Sequence, residues 1–134
     1  MTVAVSGYFV ILHAGHIDLL RKAYNIKCEG VTVILNNDKQ QRLKYGRIIV
    51  PFREREKVLE DLYPVKEIIK SIDTDRTVCK TLAKIKPDIF CNGGDRHNKE
   101  IPEAKVCKKL GIKMVDGLGK KVQSASKLIR LLEK

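Results

Sequence analysis

The chain has 134 residues, 43% of them apolar, which is one domain's worth of polypeptide with enough apolar surface to bury its own core. No apolar run approaches the length of a membrane span, and the N-terminal segment MTVAVSGYFV carries no basic leader, so a cytoplasmic protein with no membrane contact is expected. Lys and Arg total 27 against 16 acids, a formal charge of +11, spread along the chain without a dense basic tract; nucleic acid, a polyphosphate ligand and a merely solvated surface all stay open as its explanation.

In chain order, residues 3–9 (VAVSGYF) predict a short buried strand. Residues 15–25 carry Ile17, Leu19, Leu20, Ala23 and Tyr24 at helical spacing. Val31-Thr32-Val33-Ile34-Leu35 is a β-branched strand, and Asn36-Asn37-Asp38 at its end is a turn or a helix cap. Residues 39–50 are polar and basic and predict a loop with one helical turn; residues 52–62 predict a helix that stops before Pro64. Ile68-Ile69 marks a short strand, residues 75–85 a helix ending near Pro87, and residues 88–92 (DIFCN) another strand. Residues 102–110 predict a helix closed by Gly111, Ile112 to Val115 the fifth strand, and residues 124–133 a final helix. Strands alternate with helices throughout. That order predicts an α/β single domain, a Rossmann-like parallel five-stranded sheet with helices on both faces.

Cys28, Cys79, Cys91 and Cys107 form no CxxC pair and have no zinc-site spacing, so they read as reduced, mostly buried thiols. In a parallel sheet of this kind, ligands bind beyond the carboxyl ends of the strands. Four segments fall there. Gly7-Tyr8-Phe9 leads into His13-Ala14-Gly15-His16, where a strand turns into a helix; two imidazoles three residues apart share one helical face, and Gly15 leaves room between them. Such a pair at a helix N-terminus suits a phosphate chain, although an ordinary polar helix start and a metal pair remain open at this point; a metal would need more ligands, and His97 is the only other histidine. Gly93-Gly94-Asp95-Arg96 is a tight turn after a strand, with an acid that can hold a base or ribose and an Arg that can reach a phosphate, or simply a strand-to-helix turn. Gly117 to Ser126 is a basic, glycine-containing stretch whose Ser124 or Ser126 can cap the last helix, or, with Lys120 and Lys121, face an anion. Asn36 to Lys44 is the fourth; it ends in Arg42-Leu43-Lys44, with Arg47, Arg53 and Arg55 nearby, and a solvated basic face accounts for Arg42, Arg47 and Arg53.

Taken together these pieces resemble the cytidylyltransferase-like nucleotidyltransferase family, which includes glycerol-3-phosphate cytidylyltransferase and the adenylyltransferase half of the ADP-heptose synthesis enzyme. The resemblance runs from Val3 to about Ile129. Residues 7–16 are similar to the family's GxFDxxHxGH signature, Arg42-Leu43-Lys44 to the segment whose lysine contacts the transferred phosphate, Asn92-Gly93-Gly94-Asp95 to its GGD turn, and Gln123 to Ser126 to its final IST(S/T) segment. The chain departs at two positions, with Val10 where the signature has Asp and Ala125 where the last segment has a hydroxyl.

The resemblance implies transfer of a nucleoside monophosphate from a nucleoside triphosphate to a small phosphorylated acceptor, such as a polyol or sugar phosphate, with release of pyrophosphate. His13 and His16 would donate to the triphosphate, Lys44 would bridge acceptor and α-phosphate, and Arg55 would support the charge. Gly7, Tyr8, Phe9, Gly15, Gly93, Asp95, Lys121, Gln123, Ser124 and Ser126 would hold the nucleotide. Mg²⁺ would bridge the phosphates rather than occupy a protein-built metal site. The short stand-alone form points to CTP over ATP, and members of the family often pair as homodimers. Val10 and Ala125 motivate a second reading, a nucleotide-binding sensor with impaired catalysis. The +11 charge motivates a third, a nucleic-acid-binding domain, which ranks below both.

Overall fold

The computed structural model describes residues 2–27, 29–93 and 101–118. Ten elements follow in order: β1 (Val3–Gly7), α1 (Ala14–Lys27), β2 (Val31–Leu35), α2 (Asp38–Tyr45), α3 (Phe52–Glu60), β3 (Val65–Lys70), α4 (Cys79–Ile85), β4 (Ile89–Gly93), α5 (Glu103–Leu110) and β5 (Lys113–Leu118). The strands form one sheet in the order β3-β2-β1-β4-β5, and every neighbouring pair is parallel. The predicted five-stranded parallel α/β sheet is therefore the fold.

Side chains alternate across this sheet as the pleat requires. Val3, Val5, Val31, Val33, Leu35, Ile89 and Cys91 point to one face, where Leu19, Leu20 and Ala23 of α1 and Phe52 and Leu59 of α3 cover them. Ala4, Ile34 and Phe90 point to the other, against Val78, Leu82 and Cys107 from the α4 and α5 side. Burial on both faces is why the strand sequences run continuously apolar rather than alternating. β3, at the edge, is the exception: Lys66, Glu67 and Lys70 are exposed on it, which discourages pairing with another chain. Cys79, Cys91 and Cys107 are free thiols, the last two buried, and burial pushes both up to about 11.

The chain walks outward from β1 to β3, then returns to lay β4 against the other side of β1. The strand order therefore reverses between β1 and β4, and there the strands also part. Their pairing runs from Val3–Ile89 to Val5–Cys91 and ends, although β1 continues to Gly7 and β4 to Gly93. In parallel sheets, ligands bind beyond the carboxyl ends of the strands at such a reversal.

Several boundaries differ from the sequence reading, each for a local reason. β1 stops at Gly7 because Phe9 adopts a left-handed backbone, φ 46°. Residues 38–45 form a full helix rather than a loop. Asn37 and Gln40 make a reciprocal capping box at its start, and Gly46, at φ 80°, closes it by donating to the Arg42 carbonyl. α4 begins at Cys79 rather than 75. The Asp75 carboxylate accepts from the Thr77 amide and hydroxyl at 2.9 and 2.7 Å, folding a turn there. Two distant acids then cap α4: Glu103 accepts from the Val78 amide, and Asp73 from the amides of Lys80 and Thr81. β3 is longer than Ile68-Ile69, and β5 extends to Leu118, taking Gly117 out of the expected loop. The helix expected at 124–133 lies outside the described residues.

Candidate active site

The β1–α1 corner is built on its histidines. His13 directly precedes α1, and its Nδ1 accepts the Gly15 amide at 3.1 Å. His16 reaches back, and its Nδ1 accepts the His13 amide at 3.2 Å. This is the reciprocal arrangement of a capping box, made with imidazoles in place of a hydroxyl and a carboxylate. The i,i+3 spacing that puts two residues on one helical face is also the spacing of such a box. The rings stack, with centroids 3.9 Å apart and planes 25° apart, and Phe9 lies 4.7 Å from the His16 ring.

The capping decides the tautomer. With each Nδ1 accepting, the proton of each neutral ring sits on Nε2, so each ring keeps one N–H donor beyond the cap. The rings are also held neutral. Burial pushes the His16 imidazole down to about 4, helped by the neighbouring His13 and Lys44; burial alone lowers His13. Lys44 is among the charges that lower His16, and its Nζ lies 4.5 Å from the centroid of the neighbouring Tyr8 ring.

Gly7 is required by its own neighbour. A Cβ at position 7 would meet the Phe9 ring at 2.8 Å, because the left-handed turn at Phe9 folds that ring back over the strand end. A non-glycine residue in this region is strained by about 1–3 kcal/mol, which surrounding packing must offset. Phe9 is buried in the α1-side core and meets that condition. Val10, at the position of the signature acid, is also buried.

The β2–α2 corner is built on buried polar groups. Arg55 occupies the middle of the buried stripe of α3, between Phe52 and Leu59, and is 2% exposed. Its guanidinium donates to four acceptors: Val50 carbonyl at 2.8 Å, Tyr8 carbonyl at 2.9 Å, Asn36 carbonyl at 2.7 Å and the Asp38 carboxylate at 2.8 Å. One side chain thereby ties together the β1–α1 loop, the end of β2, the start of α2 and the segment before α3. Gln40 and Gln41 are fully buried beside it. Gln40 accepts from Asn36 and the Asn37 amide and donates to the Asp75 and Thr77 carbonyls, both at 2.7 Å. Gln41 accepts from the Ile49 and Val50 amides and donates to the Val50 carbonyl. Buried amides with every group satisfied make a rigid platform. α2 carries Lys44 on it, with Nζ 4.5 Å from the centroid of the Tyr8 ring.

The structure thus brings Gly7, Tyr8, Phe9, His13, Gly15, His16 and Lys44 together at one strand edge, with Arg55 buried behind them and Gly93 ending the strand next to β1. Asp95, Lys121, Gln123, Ser124 and Ser126 lie outside the described residues. Sequence reasoning placed Asn37 in a turn or cap cluster, which the structure bears out, and missed Gln40 and Gln41. The Asn-x-x-Gln capping spacing of Asn37 and Gln40 was the available signal for the helix, and Arg55 within an apolar stripe the signal for its burial. Among the described residues, no three His, Cys, Asp or Glu side chains group to hold a metal, and no helix is long and apolar enough to cross a membrane. A separate shallow groove on the outer side of α1, lined by Ile17, Leu20, Tyr24, Leu62 and Tyr63, contains none of these groups.

The reversal in a parallel sheet and the histidine pair at the start of α1 fit a small α/β nucleotidyltransferase domain. The chain belongs to the cytidylyltransferase-like family, whose profile matches residues 4–130. It is 34% identical over 111 residues to an FAD synthase of Ferroglobus placidus, covering 83% of this chain and 70% of that one. It is also 34% identical over 111 residues to the bifunctional protein HldE of Streptomyces coelicolor, covering 81% of this chain; the match spans only 23% of that longer protein. The crystal structure of a lipopolysaccharide core biosynthesis protein from Thermoplasma volcanium superimposes with a TM-score of 0.74 at 26% identity, covering 90% of this chain and 98% of that one.

Proposed function

We propose that the protein transfers a nucleoside monophosphate from a nucleoside triphosphate to a small phosphorylated acceptor and releases pyrophosphate. The observation that carries this reading is the imidazole capping box, which leaves two neutral rings each with an Nε2–H donor at the reversal of strand order. An acceptor phosphate oxygen bonds to the α-phosphorus, the bond from that phosphorus to the β-bridging oxygen breaks, and its electron pair leaves with pyrophosphate. A phosphate is already a competent nucleophile, so the protein's part is positioning and charge stabilisation. His13 and His16 donate to the triphosphate and to the charge that builds on it. Lys44 lies between donor and acceptor phosphates. Arg55 acts through the groups it braces, since four of its five N–H donors already have protein acceptors.

The remaining nucleotide contacts proposed from the family pattern are the backbone of Gly7, Tyr8 and Phe9, the open space at Gly15, the Gly93 turn with Asp95, and Lys121, Gln123, Ser124 and Ser126. Mg²⁺ suits a site of this kind, because it binds through substrate phosphates and waters with few protein ligands, and it would neutralise phosphate charge. The preference for CTP finds no support in the names of the relatives. FAD carries an AMP half, so ATP is the donor we favour, with CTP second and the acceptor a phosphomonoester. The deciding experiment is a pyrophosphate-release screen of ATP and CTP with Mg²⁺ against FMN, sugar phosphates and polyol phosphates. Pyrophosphate from any acceptor supports the reading. Nucleotide binding with no release from the whole panel favours the sensor, for which buried Val10 in place of an acid is the motive.

A further inference from the structure

Tyr8 and Phe9 are consecutive, yet their rings meet different neighbours. Phe9 packs into the α1-side core and against His16. Tyr8 turns toward α2, where Tyr45 meets it edge-on, with centroids 5.9 Å apart and planes at 82°, and Lys44 lies over its face. The Tyr8 hydroxyl is buried and, among the described residues, is the only buried side-chain polar atom without a hydrogen-bond partner. The Arg76 guanidinium is close enough to counter the upward push of burial on the phenol, but no hydrogen bond of proper geometry joins them.

Arg76 is exposed, but its backbone is fixed. Gln40, fully buried in α2, donates to the carbonyls on both sides of it, Asp75 and Thr77, and the Asp75 carboxylate closes the turn between them. One buried amide therefore sets the spacing between the loop that carries Arg76 and the helix that carries Lys44. Lys44 lies over the Tyr8 ring. A phosphate-binding position beside Lys44, between the Tyr8 hydroxyl and the Arg76 loop, is what this layout provides.

We propose that Tyr8 and Arg76 form the subsite for the acceptor's phosphate: the Tyr8 hydroxyl donates to a phosphomonoester oxygen and the Arg76 guanidinium pairs with the same dianion, placing it next to Lys44. The exposed Arg76 side chain shifts off the phenol as the phosphate enters, a rotamer change common on binding. The role as acceptor subsite rests on the transferase reading; the phosphate binding does not.

Titration of the intact protein with inorganic phosphate and with glycerol 3-phosphate, followed by NMR, tests it directly. Arg76→Gln should weaken both by about 10- to 100-fold and Tyr8→Phe by about tenfold, the range for losing a charge-assisted and a neutral hydrogen bond. Arg76→Lys should recover part of the loss, affinity for a non-hydrolysable ATP analogue should stay unchanged in all three, and His16→Ala should give the reverse pattern. Unchanged phosphate affinity in Arg76→Gln, or parallel loss of phosphate and nucleotide, overturns the subsite. Turnover separates the two proposals. Pyrophosphate release with an acceptor KM unaffected by either substitution removes the subsite and leaves the transferase. Arg76-dependent phosphate binding with no pyrophosphate release from any acceptor does the opposite.

Discussion

The β1–α1 and β2–α2 corners do the same job by different physics. Each ends a buried strand and presents a polar group at the carboxyl edge of the sheet. The first corner is apolar behind and polar only at its tip: Phe9 fills the space behind the histidines, and the histidines cap their own helix. The second is polar to its base, with Arg55, Gln40 and Gln41 buried under α2 and nearly every donor matched. In the first corner the chemical groups are also the local structure, so a short stretch of sequence suffices. In the second, the presented group, Lys44, depends on acceptors contributed from residues 8, 36, 38, 50, 75 and 77.

That contrast predicts where each corner breaks. The largest effect should come from Arg55→Ala, which takes a donor from the Asp38 carboxylate and from three carbonyls; a loss of about 2–5 kcal/mol is expected in urea unfolding, from buried carbonyls left short of a donor at about 1–3 kcal/mol each. Arg55→Lys should recover little, because an ammonium cannot reproduce the fork that spans these acceptors. A small change in either variant would mean the second corner does not depend on its buried cation.

His16→Ala should behave in the opposite way. Turnover should fall by about 10²–10³-fold, the cost of removing one donor to a developing charge. Stability should fall by only about 1 kcal/mol, the cost of a lost cap. Near-normal pyrophosphate release would remove the histidines from the chemistry. Gln40→Leu keeps the bulk and removes the hydrogen bonds, so about 1–3 kcal/mol should be lost for the unpaired carbonyls. Amide exchange should accelerate in residues 73–78 while α1 keeps its protection.

The effect that is smallest at neutral pH is a pH slope carried by the first corner alone. His16 titrates at about 4 in the folded protein and near 6.5 when unfolded, so between those values only the unfolded chain takes up the proton. Stability is therefore full above pH 6.5 and declines by at most about 1.4 kcal/mol per pH unit down to pH 4, where this contribution levels off. His16→Asn should flatten that part of the urea-midpoint profile. An unchanged slope would mean that the imidazole is not held neutral.

The amino-acid sequence by itself determined the sheet, the strand-helix alternation and the position of the histidine pair. Runs such as Val31–Leu35 can be stable only when buried on both faces, and an i,i+3 pair at a helix start is a local geometry. It also showed the Lys44 segment, though as a loop. Only the tertiary structure decided which distant carbonyls and amides meet Gln40 and Gln41 under residues 38–45 and which acceptors surround Arg55. It also decided that Gly7 is required by the Phe9 ring, and that Tyr8 and Arg76 meet across 68 residues of sequence. The reason is the range of the interactions. Backbone periodicity and capping act within a few residues and leave a local pattern. A buried Gln or Arg is stable only when acceptors from distant segments arrive together, and nothing in its own neighbourhood announces them.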